Sequence, residues 1–287
     1  MKAMLFSALF AVSAFAFAAQ AADHAQLAQE AKAKFEQRDY NNSGIAAAQE
    51  AADKYAQAAA ASEGAVKAQY LNKQSEALYF VGNATDAKAT KIEKHQKGID
   101  AANQALALLG LADVSKVTDA QLAELKKSAN LADIGNGLYF RGINLGQWGT
   151  ANGVMESIGK WPELKRNMEV IETLGLKDIH YYGAYRVLGR GYYKIPGLLG
   201  GSQKKAMKYL GDAVQGSLVE GKKFSKSGYN NVYYAEVLKE EGEDDAAVAL
   251  LQGFVDAATK TPEAFPADLA PETRRAAAEA QELLKNW

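Results

Sequence analysis

Apolar residues recur along this chain at three- and four-residue spacing, and strict alternation is nearly absent. That period is helical. It predicts helices over 24–38, 43–62, 64–82, 86–109, 118–150, 155–174, 179–194, 202–217, 227–241, 244–259 and 271–286. Start signals agree with several of them. Ser43, Thr118-Asp119, Ser202 and Asp244 are residue types that cap helix N-termini. Pro162 opens the Trp161–Leu174 stretch, where a first-turn proline is tolerated. Stops fall at Gly82-Asn83, Gly110, Gly175, Pro196-Gly197, Gly242 and Pro262. About eleven helices joined by short links make either a bundle or an array of hairpins.

Repeated spacing favours the array. Tyr185-x2-Leu188-Gly189-x2-Tyr192 fits the first-helix signature of a tetratricopeptide repeat, with Tyr185 in the tryptophan place. Ala206, Leu210 and Ala213 fit the second helix after a link lengthened by IPGLLGG. A second unit runs Tyr234-Ala235-x2-Leu238, then Ala247, Leu251 and Phe254. Small residues at fixed positions let paired helices approach closely, and large ones fill the gaps. KFEQRDY (34–40) and GIDAANQALALLG (98–110) read as the end of a first helix and as a second helix. The expected fold is all-α: stacked helical hairpins forming one tetratricopeptide-like α-solenoid over residues 22–287.

The first residues read as an address. Met1-Lys2 gives a positive start, residues 3–18 are apolar, and Ala19-Gln20-Ala21 is a small-x-small cleavage site. This is a signal-peptide pattern with cleavage after Ala21, and the apolar run is too short for a stable membrane span. An exported chain, periplasmic in a Gram-negative cell, is expected. Composition narrows the chemistry. The 33 basic and 34 acidic residues leave a net charge of −1, with no basic excess to hold nucleic acid. Cysteine is absent, which removes disulfides, thiolate metal sites, cysteine nucleophiles and lipid attachment through cysteine.

The stretch from Leu138 to Leu251 carries LYFRGINLGQWGTANG (138–153), WPELKRNMEVIETLG (161–175) and HYYGAYRVLGRGYYKIPGLLGGSQKKAMKYLGDAV (180–214). Upstream, YLNKQSEALYFVGN and HQKGIDAANQALAL fit the same layout over 70–108. These segments resemble the T-component associated with tripartite ATP-independent periplasmic (TRAP) transporters. The resemblance implies an all-helical repeat protein with a central pore or cleft. It also implies work beside a solute-binding protein and its membrane transporter. Several such proteins are lipoproteins. This chain has no cysteine to lipidate, so a soluble periplasmic form is implied.

Two stripes on the helix around 135–153 stand out. Glycines 135, 142, 146, 149 and 153 fall within roughly a 60° arc at ~100° per residue. Each glycine inside a helix costs about 0.8–1 kcal/mol against alanine. Either another helix packs closely against that arc or a ligand does, and close helix packing is the favoured compensation. Nearly opposite lie Gly137, Arg141, Asn144 and Trp148, a guanidinium, an amide and an indole suited to an anionic or aromatic organic group. The 180–194 segment carries Tyr181, Tyr182, Tyr185, Tyr192 and Tyr193 with Arg186, Arg190 and Lys194. The repeat register assigns Tyr185 and Tyr192 to packing. Tyr182, Arg186, Arg190 and Tyr193 remain as contact residues.

Signals for catalysis fail on inspection. Gly216-x4-Gly221-Lys222-Lys223 lacks the Ser/Thr that would hold magnesium and follows no strand. Gly189-x-Gly191 lacks a third glycine. His24, His95 and His180 are far apart and read as separate surface or capping groups. The expectation is a binding protein without catalysis, metal or cofactor. Its ligand- or partner-binding residues are Arg141, Asn144, Trp148, Tyr182, Arg186, Arg190 and Tyr193. The occupant is a small organic ligand or a periplasmic solute-binding protein. The alternative is an adaptor that grips another envelope protein.

Overall fold

A computed structural model describes residues 24–287. The expected leader over 1–21 lies outside the described residues. The rest is all-α, with twelve α-helices and no strand among the described residues. A single bridge, Leu218 to Ser225, is the only extended pairing described. None of the described helices is long and apolar enough to cross a membrane.

The chain divides after Asp113 into two compact units, where the hydropathy pattern suggested one domain. The first holds α1 (24–35), α2 (Asn42–Ala60), α3 (Gly64–Ala84) and α4 (Lys88–Leu108). Its helices meet through alanines. Ala48, Ala51, Ala58, Ala68, Ala77, Ala102 and Ala105 are fully buried. Such small residues allow close helix approach, and Phe35, Tyr40 and Phe80 close one end as an aromatic group.

The second unit opens with α5 (Asp119–Leu125) and continues as three helical pairs and a last helix. The pairs are α6 (Leu131–Asn152) with α7 (Val154–Thr173), α8 (Ile179–Lys194) with α9 (Gln203–Gly216), and α10 (Gly228–Glu240) with α11 (Asp244–Lys260). α12 (Ala270–Asn286) packs on α10 and α11. Each first helix also meets the next first helix: α6 with α8, α8 with α10, α10 with α12. The second helices α7, α9 and α11 approach one another less closely. α6, α8, α10 and α12 therefore form the inner row of this unit.

Several boundaries differ from the sequence reading, each for a local reason. The stretch 118–150 is two helices, because Ser128 accepts the Asn130 amide at 3.1 Å and turns the chain between α5 and α6. The cap of α2 is Asn41, whose Oδ1 accepts the Gly44 amide at 2.8 Å and a hydrogen bond from the Ser43 hydroxyl. Thr118 and Ser202 cap as expected. Asp244 lies inside the first turn of α11, where its charge suits the helix dipole. Gly82 does not end α3; it lies within the helix, packed against the His95 ring. Pro162 is interior to α7 rather than at its start.

The glycine stripe on α6 meets α7 and the start of the next pair. A side chain on Gly142 would collide with Met168, on Gly146 with Leu164 and on Gly149 with the Ser157 backbone. Gly135 faces Leu176 and Ile179, and Gly153 is the turn between the two helices at φ +131°. The repeat register also appears in three dimensions. Leu188, Ala206, Leu210, Ala213, Ala235, Ala247, Leu251 and Phe254 are fully buried, and Tyr185 and Tyr192 are buried with them.

Two glycine-to-alanine changes should move stability in opposite directions. At Gly189 a Cβ would lie 2.5 Å from Leu210 Cγ and 3.1 Å from its backbone nitrogen, so overpacking of about 1–3 kcal/mol outweighs the helix gain. Gly159, also helical, has open space around it. Gly159→Ala should stabilise by about 0.5–1 kcal/mol while Gly189→Ala destabilises by about 1, read from urea midpoints at constant slope.

Candidate functional site

The seven candidate residues fall into two groups. Arg141, Asn144 and Trp148 on α6 belong to its seam with α7. The Arg141 guanidinium pairs with the Glu163 carboxylate and donates to Asn167 Oδ1 at 3.1 Å. Asn144 is fully buried and its amide donates to the Phe140 carbonyl at 2.9 Å, a turn earlier in its own helix. Trp148 is half-buried, with the Lys160 ammonium 5.5 Å from its ring centre. This stripe is therefore committed to protein partners.

Tyr182, Arg186, Arg190 and Tyr193 lie on α8, in the inner row, and neighbouring helices complete their surroundings. One face of the Arg186 guanidinium donates to the Tyr139 hydroxyl at 2.5 Å. Its other terminal nitrogen donates to Asn230 Oδ1 at 2.9 Å, to the Ser227 hydroxyl at 3.2 Å and toward the His180 carbonyl at 3.5 Å. All four partners are neutral. One side chain thus ties together α6, the start of α8 and the start of α10. Among the described residues Arg186 has no carboxylate partner.

The start of α8 is strained. His180, Tyr181 and Tyr182 take φ values of 50°, 57° and 60°, three consecutive side-chain-bearing residues in the left-handed region. Each costs roughly 1–2 kcal/mol, so neighbours must impose the conformation. They are visible. His180 stacks on Tyr139 with ring centres 4.2 Å apart and shares a hydrogen bond with Asn136 at 3.0 Å. The Tyr181 carbonyl accepts from the Asn230 amide at 2.9 Å. The Tyr182 ring lies over Gly216, where a Cβ would come within 2.2 Å of it. Gly183 leaves room for Tyr139 in the same way.

Asn230 and Asn231 are fully buried in the first turn of α10. Asn231 Oδ1 accepts the Ser225 amide at 2.7 Å, and its own amide donates to the Ser225 carbonyl at 3.0 Å. These bonds fix the 217–227 link and hold Asn230 against the strained turn.

One helical turn beyond Arg186, the Arg190 guanidinium bonds Glu236 at 2.5 Å. It lies 4.1 Å from the Tyr233 ring centre and 5.6 Å from that of Tyr193. Burial, then a hydrogen bond to Glu240, pushes the Tyr193 phenol up to about 12. Burial also raises Tyr233, against the opposing pull of Arg190. On α12, Glu279 keeps part of its surface in water, yet partial burial and then Glu236 push its carboxyl above the usual range. The inner row thus carries a band of tyrosines, two arginines and two carboxylates.

Sequence reasoning missed Tyr139, Ser227, Asn230, Tyr233, Glu236 and Glu279. One signal was present: two adjacent asparagines inside a helical segment are poor helix formers and need a specific hydrogen-bonding reason. The histidines also depart from expectation. His95 is buried against Gly82, His180 stacks in the strained turn, and His24 hydrogen-bonds Tyr70 at 3.1 Å. The lysine-rich segment after Gly216 is the α9–α10 link, with Gly221 at φ +68°.

Compared with known proteins, the chain matches no family model and is significantly similar to none of the curated proteins.

At position 181 the usual ranking of glycine and alanine should invert. Both substitutions remove the same tyrosine side chain, but only glycine accepts φ 57° without penalty. Tyr181→Gly should be more stable than Tyr181→Ala by about 1 kcal/mol, read by chemical denaturation, where an ordinary right-handed helix gives the reverse.

The raised phenols set an alkaline limit. Tyr193 and Tyr209 stand at about 12 in the folded chain, Tyr209 through burial and then Glu172. Unfolded tyrosines ionise near 10. The folded pKa is the higher one, so this stabilisation is complete below pH 10 and falls away as pH rises from 10 towards 12. Ultraviolet titration should show these phenols ionising well after the exposed ones, and denaturation midpoints should drop over the same window.

Proposed function

We propose that the chain is a non-catalytic, exported binding protein similar in role to the T-component of TRAP transporters. It works in the periplasm, as a tetratricopeptide-like repeat whose inner row holds a small organic anion. A solute-binding protein is its natural partner. The observation that carries this reading is the Arg186 guanidinium. It is fixed by four neutral groups on three elements and keeps its positive charge without a carboxylate partner. Arginine presents a planar set of donors to carboxylates, and rigid positioning lowers the entropy lost on binding. The tyrosines around Arg190 supply the amphipathic wall that an organic solute needs. On this reading Arg186, Arg190 and Tyr193 contact the solute, joined by Tyr233, while Tyr182 is held over Gly216 and against Tyr185. Arg141 and Trp148 hold α6 against α7, and Asn144 is buried with its amide bonded within α6.

Thermal unfolding against a panel of small mono- and dicarboxylates tests it. A ligand at one hundred times its Kd adds about 2.7 kcal/mol, which raises Tm by roughly 5–10 °C for a unit of this size. Arg190→Gln and Tyr233→Phe should each sharply reduce that rise, measured from each variant's own ligand-free midpoint. The proposal fails if no carboxylate moves the midpoint and native mass spectrometry of protein from an exporting host finds no bound small molecule. Recovery of an envelope protein alone, in the same preparation, would favour the adaptor.

A further inference from the structure

The helices of the inner row run in one direction, which orders their residues along it. Arg186 meets Asn230 and, one turn on, Arg190 meets Glu236, so α8 and α10 advance together. Near the start of α10, a Cβ on Gly228 would come within 2.6 Å of Ala276 on α12. Near its end, the Lys239 ammonium lies 5.7 Å from the Trp287 ring centre. α12 therefore follows α10 from start to end. Glu279 lies about one turn past Ala276, on the way towards the Glu236 level.

Three groups on this row lack the partner their chemistry calls for among the described residues. Arg186 has no carboxylate. Tyr233 packs 4.1 Å from the Arg190 guanidinium, yet its hydroxyl makes no hydrogen bond. Glu279 has no ion pair, and the carboxylate of Glu236 is near enough to oppose its ionisation. Their neighbours are satisfied. Glu236 is held by Arg190 at 2.5 Å and Lys194 at 3.6 Å, and Tyr193 hydrogen-bonds Glu240. Asn230, Tyr233 and Glu236 follow at three-residue spacing on α10, so they share a face. Tyr233 thus stands between the Arg186 end of the row and the Glu279 end.

The row is also not a greasy face. The large exposed apolar side chains of this unit are Val154 and Met155 at the α6–α7 turn and Leu198 and Leu199 on the α8–α9 link. None stands on α6, α8, α10 or α12. What the row offers a ligand is a cation, a phenol and an anion, in that order.

We propose that the solute is an extended zwitterion, an ω-amino carboxylic acid whose two charges stand at opposite ends. This rests on the reading of the inner row as a site for an organic anion, and it adds the cation. The carboxylate takes Arg186, the ammonium takes Glu279, and the methylenes lie over the Tyr233 ring. An ammonium beside Glu279 supplies the missing counter-charge and relieves its repulsion by Glu236. A dicarboxylate would instead bring a third negative charge to those two. An α-amino acid carries both charges on neighbouring carbons and reaches only one end.

Isothermal titration calorimetry of protein produced from the full chain in an exporting host tests this. The ligands run from γ-aminobutyrate to ω-aminocaprylate, each beside the fatty acid of equal length without the amine. Norleucine is included as the α-amino isomer of ε-aminocaproate. At the best length the amine should tighten binding about tenfold over the plain acid, and norleucine should not share the gain. Glu279→Gln keeps the side chain's size and removes its charge. It should lose that gain while binding the plain acid at least as tightly as the wild type does, whereas a merely structural role would weaken both ligands together. Plain acids that bind as tightly as amino acids, or a preference that survives in Glu279→Gln, overturn the ammonium site and leave the anion reading standing. Norleucine matching ε-aminocaproate overturns the end-to-end arrangement. If neither series binds, both readings fail. The wild-type series needs no variant, so it decides even where Glu279→Gln folds poorly.

Discussion

The second unit depends on one guanidinium in a position that the helices alone would not produce. Arg186 reaches Tyr139 on α6, the His180 carbonyl in the left-handed turn, and Ser227 with Asn230 at the start of α10. Charge-assisted hydrogen bonds of this kind are roughly twice as strong as neutral ones. They offset the left-handed turn, which right-handed sterics oppose at every one of its three residues. The order of cause runs both ways. The arginine is positioned by Tyr139, Ser227 and Asn230, and the turn is held by the Asn230 amide on the Tyr181 carbonyl and by the guanidinium approaching the His180 carbonyl.

This coupling explains what the sequence could and could not convey. Regular packing was legible, because it follows from spacing. The alanine and leucine positions of α8 to α11, and the glycines of α6 against α7, all obey the helical period. The left-handed turn was not. Histidine and two tyrosines give no local signal for positive φ, since glycine or asparagine normally marks it. Its causes lie 40 to 50 residues away, in Tyr139 and Asn230. The same distance separates Arg190 from Glu236 and Tyr233, so the inner-row band could be half predicted from α8 and no further. The α6 stripe misled for a related reason. Arg141, Asn144 and Trp148 share an arc, but an arc does not say whether a helix or solvent faces it. Glu163 and Asn167 of α7 answer for Arg141.

Division of labour between the two rows follows from the way the pairs pack. Large aromatic groups fill the space between α7, α8 and α9: Trp161 against Tyr192, Tyr192 stacked on Tyr209, and Tyr209 against Tyr185. Glu172 accepts from Tyr185 at 2.9 Å, which together with burial raises that phenol and keeps it neutral. These groups are consumed in stability. Residues one helical step away on α8 turn to the inner row, where Tyr193, Arg190 and Arg186 meet α10. The tyrosine-rich sequence of α8 is thus two sets of contacts interleaved at helical spacing, which is why composition alone does not separate them.

Hairpin pairing also fixes where the exposed tips and the inner row lie. Links within the pairs α6–α7 and α8–α9 lie at the ends of the helices, and the inner-row band runs along their sides. The exposed apolar tips and the inner-row arginines are therefore set apart within one compact unit. The separation is a consequence of topology, and Trp161 ties the α8–α9 link to the aromatic packing between α7, α8 and α9, since its ring lies against both the link and Tyr192.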